Sequence, residues 1–375
     1  MKAGAGMKKI LVYVTGHGFG HASRTSQLLN CLAGKLPDAF FHIRTGAPEW
    51  YFRHLLDDCV RFEYSSDEID IGAVQNGPLN LSKKKTLERF AGFWGCREDI
   101  AEREAQLFRD KGISLIVADI PPLAFLVARR LGVPSVGVTN FTWNWIYADY
   151  VKCWPEYSYL IPEIEDAYRN ADLILRLPFA GPVPPGVSFE DVPLVARRPR
   201  KDREYVLASL NIRPEKPLVL ISFGGFPLSN RLFESLESLD SYTLVTTFPS
   251  QGSIPSIHHI TEEQIVQAGL RYTDIVNAVD MVAGKPGYGL VSECISCGRP
   301  LLYTSRGCFA EYRELVKGIK RYLRSVYIPR RDLLSGRWAS YLDELNSLRP
   351  PSLTCNTDGD RVVSEKLIAI LHAAG

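Results

Sequence analysis

Ile113-Ser114-Leu115-Ile116-Val117-Ala118 runs into Asp119-Ile120-Pro121-Pro122, then Leu123 to Leu131, Gly132-Val133-Pro134 and Ser135-Val136-Gly137-Val138. The first segment is short, apolar and rich in β-branched residues, which predicts a strand buried on both faces. Leu123 to Leu131 predicts a helix stopped by the Gly-Val-Pro turn, and Ser135 to Val138 predicts the next strand. Strand, helix, strand at this pitch implies a parallel sheet with right-handed crossovers.

The same grammar extends upstream. Ile10 to Val14 predicts a first buried strand, followed by a glycine-rich turn at Gly16 to Gly20 and a helix over Ser23 to Leu32. Phe40 to Arg44 and Glu49 to Leu56 give a second strand and helix. Thr86 to Asp110 predicts one long amphipathic helix with Leu87, Phe90, Phe93 and Trp94 on a shared face. Lys8-Lys9 before the apolar run imitates a secretory start. The run is only five residues long, however, and enters Gly16-His17-Gly18 with no Ala-x-Ala site, so it reads as a strand of a cytoplasmic protein.

Downstream, Ala171 to Leu175 predicts a strand, after which Pro178, Pro182, Pro184, Pro185, Pro193 and Pro199 crowd together. Residues 178–203 therefore read as a linker. Its charges, Arg197, Arg198, Arg200, Lys201 and Arg203, read as a solvated hinge, with ligand contact as the alternative. A second cycle follows: Leu218 to Phe223, Tyr242 to Thr246, a helix and strand within Ile275 to Ala283, a helix over Leu290 to Cys297, a strand at Pro300 to Tyr303 and a terminal helix over Val362 to Ala373. Restarting after a linker predicts two Rossmann-like domains, at residues 8–180 and 204–350, facing each other across a cleft.

Composition removes several classes. At 375 residues the chain exceeds the size at which one core stops growing. With 46% hydrophobic and 23% charged residues it is neither disordered nor fibrous, and a formal charge of +2 is too small to imply nucleic acid as a bulk partner, which leaves room only for a local basic patch. Eight cysteines form no disulfide pattern, and the lone CxxC, Cys294 to Cys297, reads as one helical turn, so no metal and no cofactor is expected. No stretch approaches eighteen apolar residues. Lys83-Lys84-Lys85 ahead of Phe90, Phe93 and Trp94 reads as solvated charge beside core aromatics, with weak peripheral membrane contact as the alternative.

Glycines recur where strands meet helices. In Gly16-His17-Gly18-Phe19-Gly20-His21-Ala22-Ser23-Arg24 small residues let amides point outward and the next helix adds its positive end, a place for phosphate or a sugar hydroxyl. The dinucleotide fingerprint fails because His21 replaces its last glycine. His21 reads as a chemical group, and His17 and Gly18 as neighbours that bind substrate. Asp119 ends a strand at the edge where open sheets bind ligands, as an orienter of His21, an acceptor contact or a loop brace. Asn140-Phe141-Thr142-Trp143 offers amides and flat aromatic faces, with Asn140 and Trp143 as acceptor contacts and cover for the sheet edge as the alternative for the large residues. In the second half, Gly224-Gly225 and Gly284-Lys285-Pro286-Gly287-Tyr288-Gly289 form two turns suited to a diphosphate, with Lys285 adding charge and Glu293 placed to accept ribose hydroxyls.

The segment from Gly284 through Glu293 to Gly298-Arg299-Pro300 resembles the donor signature of GT-B glycosyltransferases, in particular those that add N-acetylglucosamine to the peptidoglycan lipid precursor. The Gly-His-Gly-Phe-Gly-His-Ala-Ser-Arg motif, with Val117 to Pro122 and Val138 to Trp143, resembles the glycosyltransferase-like domain preceding the kinase module of plant arabinokinases and its prokaryotic relatives. The resemblance implies a GT-B fold whose last helix, about residues 355–375, crosses back to the first domain. It implies a nucleoside diphosphate sugar, UDP preferred, held at Gly287, Tyr288, Gly289, Leu290 and Glu293, with Arg306, Glu311 and Tyr312 near the sugar. His21 then takes the proton of a hydroxyl acceptor in an inverting, metal-independent transfer. Alternatives are a binding-only regulatory module and an epimerase or hydrolase that would draw carboxylates from Asp67, Glu68 and Asp70.

Overall fold

The computed structural model describes residues 7–75, 81–223, 230–236, 239–247, 257–307 and 309–373. The chain divides into two units, residues 1–74, 82–195 and 356–375 in one and residues 75–81 and 196–355 in the other.

Seven strands make the sheet of the first unit: β1 (Lys8–Val14), β2 (Ala39–Thr45), β3 (Arg61–Ser66), β4 (Ile113–Asp119), β5 (Ser135–Thr139), β6 (Leu173–Arg176) and β7 (Phe189–Asp191). Their order is β3-β2-β1-β4-β5-β6-β7 and every pairing is parallel. Ile10 to Val14 are fully buried because helices cover both faces of the central strands. The register sets Val14 of β1 opposite Thr45 of β2 and Asp119 of β4, so the ends of these strands form one edge. Helix Gly359–Ala373 belongs to this unit and lies along helix Phe19–Lys35, where Gln27 Nε2 donates to Asp360 Oδ2 at 2.7 Å and Lys35 pairs with Glu365 at 2.7 Å.

Six further strands, β8 (Leu218–Ser222), β9 (Thr243–Thr246), β10 (Ile257–His259), β11 (Met281–Gly284), β12 (Leu301–Tyr303) and β13 (Ser325–Tyr327), form the other sheet in the order β10-β9-β8-β11-β12-β13. All are parallel, and the order repeats that of the first six strands of the larger sheet. Each sheet reverses direction of growth at the same place, between β1 and β4 and between β8 and β11, and such switch points are where open α/β sheets bind ligands.

Two expectations are corrected here. The single helix expected over Thr86–Asp110 is two, Lys83–Gly95 and Arg97–Phe108, because Cys96 leaves helical geometry with φ −101° and ψ 11° and serves as the cap between them. Phe90 and Trp94 are fully buried and stacked with centroids 5.3 Å apart, while Lys83 pairs with Asp149 at 2.7 Å. Phe93 of the same helix is half-buried. No helix among the described residues is long and apolar enough to cross a membrane. The second correction concerns the linker: β7 lies within it, and Arg197 is buried rather than solvated.

Candidate functional site

The chain leaves β1 at Thr15, whose amide bonds the Asp119 carbonyl at 2.7 Å, and turns through Gly16-His17-Gly18 into helix Phe19–Lys35. Gly18 caps that helix with φ 76°, a conformation that side chains resist, and no side chain caps the first turn. The helix starts four residues earlier than the sequence suggests, so His21 stands on its first turn with Arg24 and Thr25 on the same face. That face meets Asp119. His21 Nδ1 lies 2.8 Å from Asp119 Oδ1, Arg24 Nε donates to Oδ2 at 2.6 Å, Arg24 Nη2 donates to Oδ1 at 2.5 Å, and Thr25 Oγ1 donates to Oδ2 at 3.1 Å.

Charge decides the proton positions. Burial opposes the ionised form of Asp119, but the Arg24 guanidinium and His21 outweigh it and hold the carboxyl down at about 2. A carboxylate facing a bare nitrogen lone pair at 2.8 Å would be repelled, so Nδ1 of His21 carries the proton and donates it. Arg24 Nη2, 3.0 Å from the same nitrogen, sits beside this bond. Both contacts use Nδ1, which leaves the Nε2 lone pair to meet a substrate proton.

Of the expected acceptor contacts, His17 and Gly18 lie at the open edge. Asn140 and Trp143 are turned inward. Asn140 is buried, with Oδ1 accepting from Arg24 Nη1 at 2.6 Å, and Trp143 is fully buried, with Nε1 donating to Asp70 Oδ2 at 2.9 Å. Asn140 braces the His21 cluster through Arg24, and Trp143 packs edge-on against His17 with ring centroids 5.9 Å apart. Asp70 also accepts from Thr15 Oγ1 at 2.9 Å, and burial pushes its carboxyl up to about 6 against those two hydrogen bonds. Ala73 N donates to His17 Nδ1 at 3.2 Å, which directs Nε2–H of a neutral His17 away from the loop. Asp67 and Glu68 instead serve ion pairs with Arg44 and Arg89.

In the other unit, β11 ends at Gly284, where any Cβ would collide with the Ser222 carbonyl at the end of β8. This close approach brings the turn after β11 to the switch point. Lys285 N donates to Ser222 O at 3.1 Å, and helix Tyr288–Cys297 begins with Gly287 as its cap and no side-chain cap bond. Amides of Gly287, Tyr288, Gly289 and Leu290 thus stand at a positive helix end. Lys285 is held down at about 8 by burial and then by the Arg306 charge nearby. Arg306 Nη1 donates to Glu311 at 2.5 Å, and burial together with Tyr303 and Tyr327 raises Tyr312 to about 12. Gly224 and Gly225 lie outside the described residues.

Glu293 stands on the second helical turn rather than the first, is buried, and is ion-paired with Arg197. Cys294 and Cys297 sit one turn apart on this helix, their thiols raised first by burial, Cys297 to about 11, so neither is poised as a thiolate. Arg24 escaped the sequence reading although its spacing from His21, i to i+3, put it on the same helix face. An aromatic ledge was illegible: Phe19 (39% exposed) and Trp50 (45% exposed) flank Tyr51, whose hydroxyl lies 2.6 Å from Ser23 Oγ, and nothing in the sequence says which aromatic residues stay in water.

No family model matches the chain. It is 34% identical over 341 residues to L-arabinokinase of Arabidopsis thaliana, covering 90% of this chain and 32% of that protein, so the chain spans about a third of the curated relative. Among solved structures it resembles CalG4, the calicheamicin glycosyltransferase, with TM-score 0.59 and 13% identity, covering 98% of this chain and 95% of the other. It also resembles UGT2 of Phytolacca americana complexed with UDP-2-fluoro-glucose and pterostilbene, with TM-score 0.60 and 13% identity, covering 98% and 94%. The two parallel sheets and these neighbours give the chain the GT-B fold.

Proposed function

We propose that this chain transfers a sugar from a nucleoside diphosphate sugar, with UDP preferred, to a hydroxyl acceptor by a metal-independent inverting displacement. The observation that carries the reading is the His21–Asp119 pair at the switch point of the larger sheet, with Nδ1 committed to the carboxylate. His21 Nε2 takes the acceptor proton as the acceptor oxygen attacks the anomeric carbon, and the bond from that carbon to the diphosphate oxygen breaks. Lys285 and the amides at the start of helix Tyr288–Cys297 take up the charge of the departing diphosphate. What supports the metal-independent form is this set of fixed positive groups. The preference for UDP is supported by the resemblance, and the Phytolacca protein of like fold was solved with a UDP-sugar.

Calorimetric titration with nucleoside diphosphates and their sugars, followed by an acceptor screen, tests the reading. Binding of one nucleotide in the micromolar range and transfer of its sugar support it. Failure of every member to bind a folded protein sinks it. The similarity to an arabinokinase favours a second reading, phosphoryl transfer to L-arabinose, so one arm of the screen supplies ATP with that sugar. The usual probe of the ribose site, Glu293→Ala, is unsuitable: it would strand Arg197 as a buried charge, at a cost of about 3–5 kcal/mol. Replacing both partners, Arg197→Gln with Glu293→Gln, removes the two buried charges together and is expected to weaken nucleotide binding about tenfold.

Donor affinity is also expected to depend on pH through Lys285. Its charge is present below about 8 and is lost above it, while a bound diphosphate favours the charged form. The affinity for a nucleotide sugar, whose diphosphate does not titrate in this range, should fall about tenfold between roughly pH 7 and pH 9. Lys285→Arg should flatten that dependence, since a guanidinium stays charged throughout. A wild-type affinity that is level across the range removes Lys285 from the donor site.

A further inference from the structure

Arg197 and Glu293 are 7% and 3% exposed. One guanidinium nitrogen, Nη2, donates to Glu293 Oε1, whereas Nη1 is buried and makes no hydrogen bond among the described residues. A guanidinium has five donors in a fixed fork, and a buried donor without an acceptor is costly, so the chemistry at Nη1 calls for an oxygen. Thr273 Oγ1 is likewise fully buried with no partner among the described residues. Cys297 Sγ lies 3.9 Å from the Thr273 carbonyl oxygen, and the Arg197 charge lowers its thiol against burial.

Glu293 and Cys297 are four residues apart, on one face of helix Tyr288–Cys297. Glu293 stands about 7 Å along the axis from the helix start, given the rise per residue of an α-helix. A diphosphate at the helix start therefore puts Glu293, and Arg197 through its bond to Glu293, within the span of the next part of the nucleotide, the ribose. We propose that Arg197 is a donor-binding residue: with nucleotide bound, Glu293 accepts from the ribose hydroxyls while Nη1 of Arg197 donates to one of the same oxygens, so that the ion pair reads a cis-diol. This rests on the donor-site assignment made above. A hydroxyl is both donor and acceptor, and it satisfies the two members of the pair at once. A 2′-deoxyribose leaves the buried pair short of a partner, and sites built around a hydroxyl reject analogues that lack it.

The test is calorimetry with UDP, ADP and GDP and with the 2′-deoxy form of whichever binds, on the wild type, Arg197→Lys and the double variant Arg197→Gln/Glu293→Gln. The double variant removes both buried charges together and keeps two amides able to bond each other, so it folds where Arg197→Gln alone strands Glu293. Wild type should prefer the ribonucleotide by at least about thirtyfold. Arg197→Lys should weaken it by about tenfold, and the double variant should bind ribo and deoxy forms within about threefold of one another. Undiminished or tighter binding by Arg197→Lys, or wild-type indifference to the 2′-hydroxyl, overturns the role of Arg197 while leaving the donor site standing. Absence of binding by every nucleotide overturns both.

Discussion

Replacing His21 by alanine is expected to lower the rate of sugar transfer roughly 10²–10⁴-fold, the range removed when a positioned general base is lost. Nucleotide binding should be unaffected, because the groups assigned to the diphosphate, Lys285 and the amides from Gly287 to Leu290, belong to the other unit. Stability should change little, since His21 reaches Asp119 by one hydrogen bond while Arg24 supplies two and Thr25 a third. Added imidazole should restore part of the rate, a readout that a merely structural histidine would not give. A variant that transfers sugar at the wild-type rate removes His21 from the chemistry, and His17 becomes the next residue to test.

The strands of both sheets were readable because parallel strands buried on both faces are continuous apolar runs, as at Ile10 to Val14 and Ile113 to Ala118. The four edge strands were not: β3 reads Arg-Phe-Glu-Tyr-Ser-Ser, β7 Phe-Glu-Asp, β10 Ile-His-His and β13 Ser-Val-Tyr, short segments whose polar residues erase the signal. The glycine-rich turns placed His21 and Lys285 at strand ends, because a tight turn has a residue signature. Burial has none that is local. Trp143 reads as an open aromatic face, yet a buried carboxylate, Asp70, claims its indole from 73 residues away. Arg197 reads as one more cation in a charged linker, yet it crosses to Glu293, 96 residues on. What decides between a solvated charge and a buried one is the partner, and partners at that separation are a property of topology.

Arg24 carries the largest expected effect on stability. Its guanidinium is 6% exposed, grips both oxygens of Asp119 and bonds the side chain of Asn140 at 2.6 Å. Arg24→Met keeps the bulk and removes the cation, leaving a buried carboxylate, which should cost about 3–5 kcal/mol at neutral pH. The pH dependence should reverse in sign. In the wild type Asp119 sits at about 2, below its unfolded value near 3.9, so its contribution is present above pH ~4 and is lost as pH falls toward 2. In the variant burial raises the carboxyl above its unfolded value, so this group favours folding most below pH ~4, and stability is lost as pH rises through the new folded value. Thermal unfolding of the two proteins should therefore differ most near neutrality and converge on acidification. A gap that is constant with pH would mean that Arg24 acts by packing rather than by charge. Activity should fall with stability for a connected reason: Arg24 holds both oxygens of the carboxylate that orients Nδ1 of His21, so its loss frees the imidazole from its catalytic position. Arg24→Lys should recover only part of either loss, because one ammonium cannot hold both carboxylate oxygens and Asn140 in the geometry of the fork.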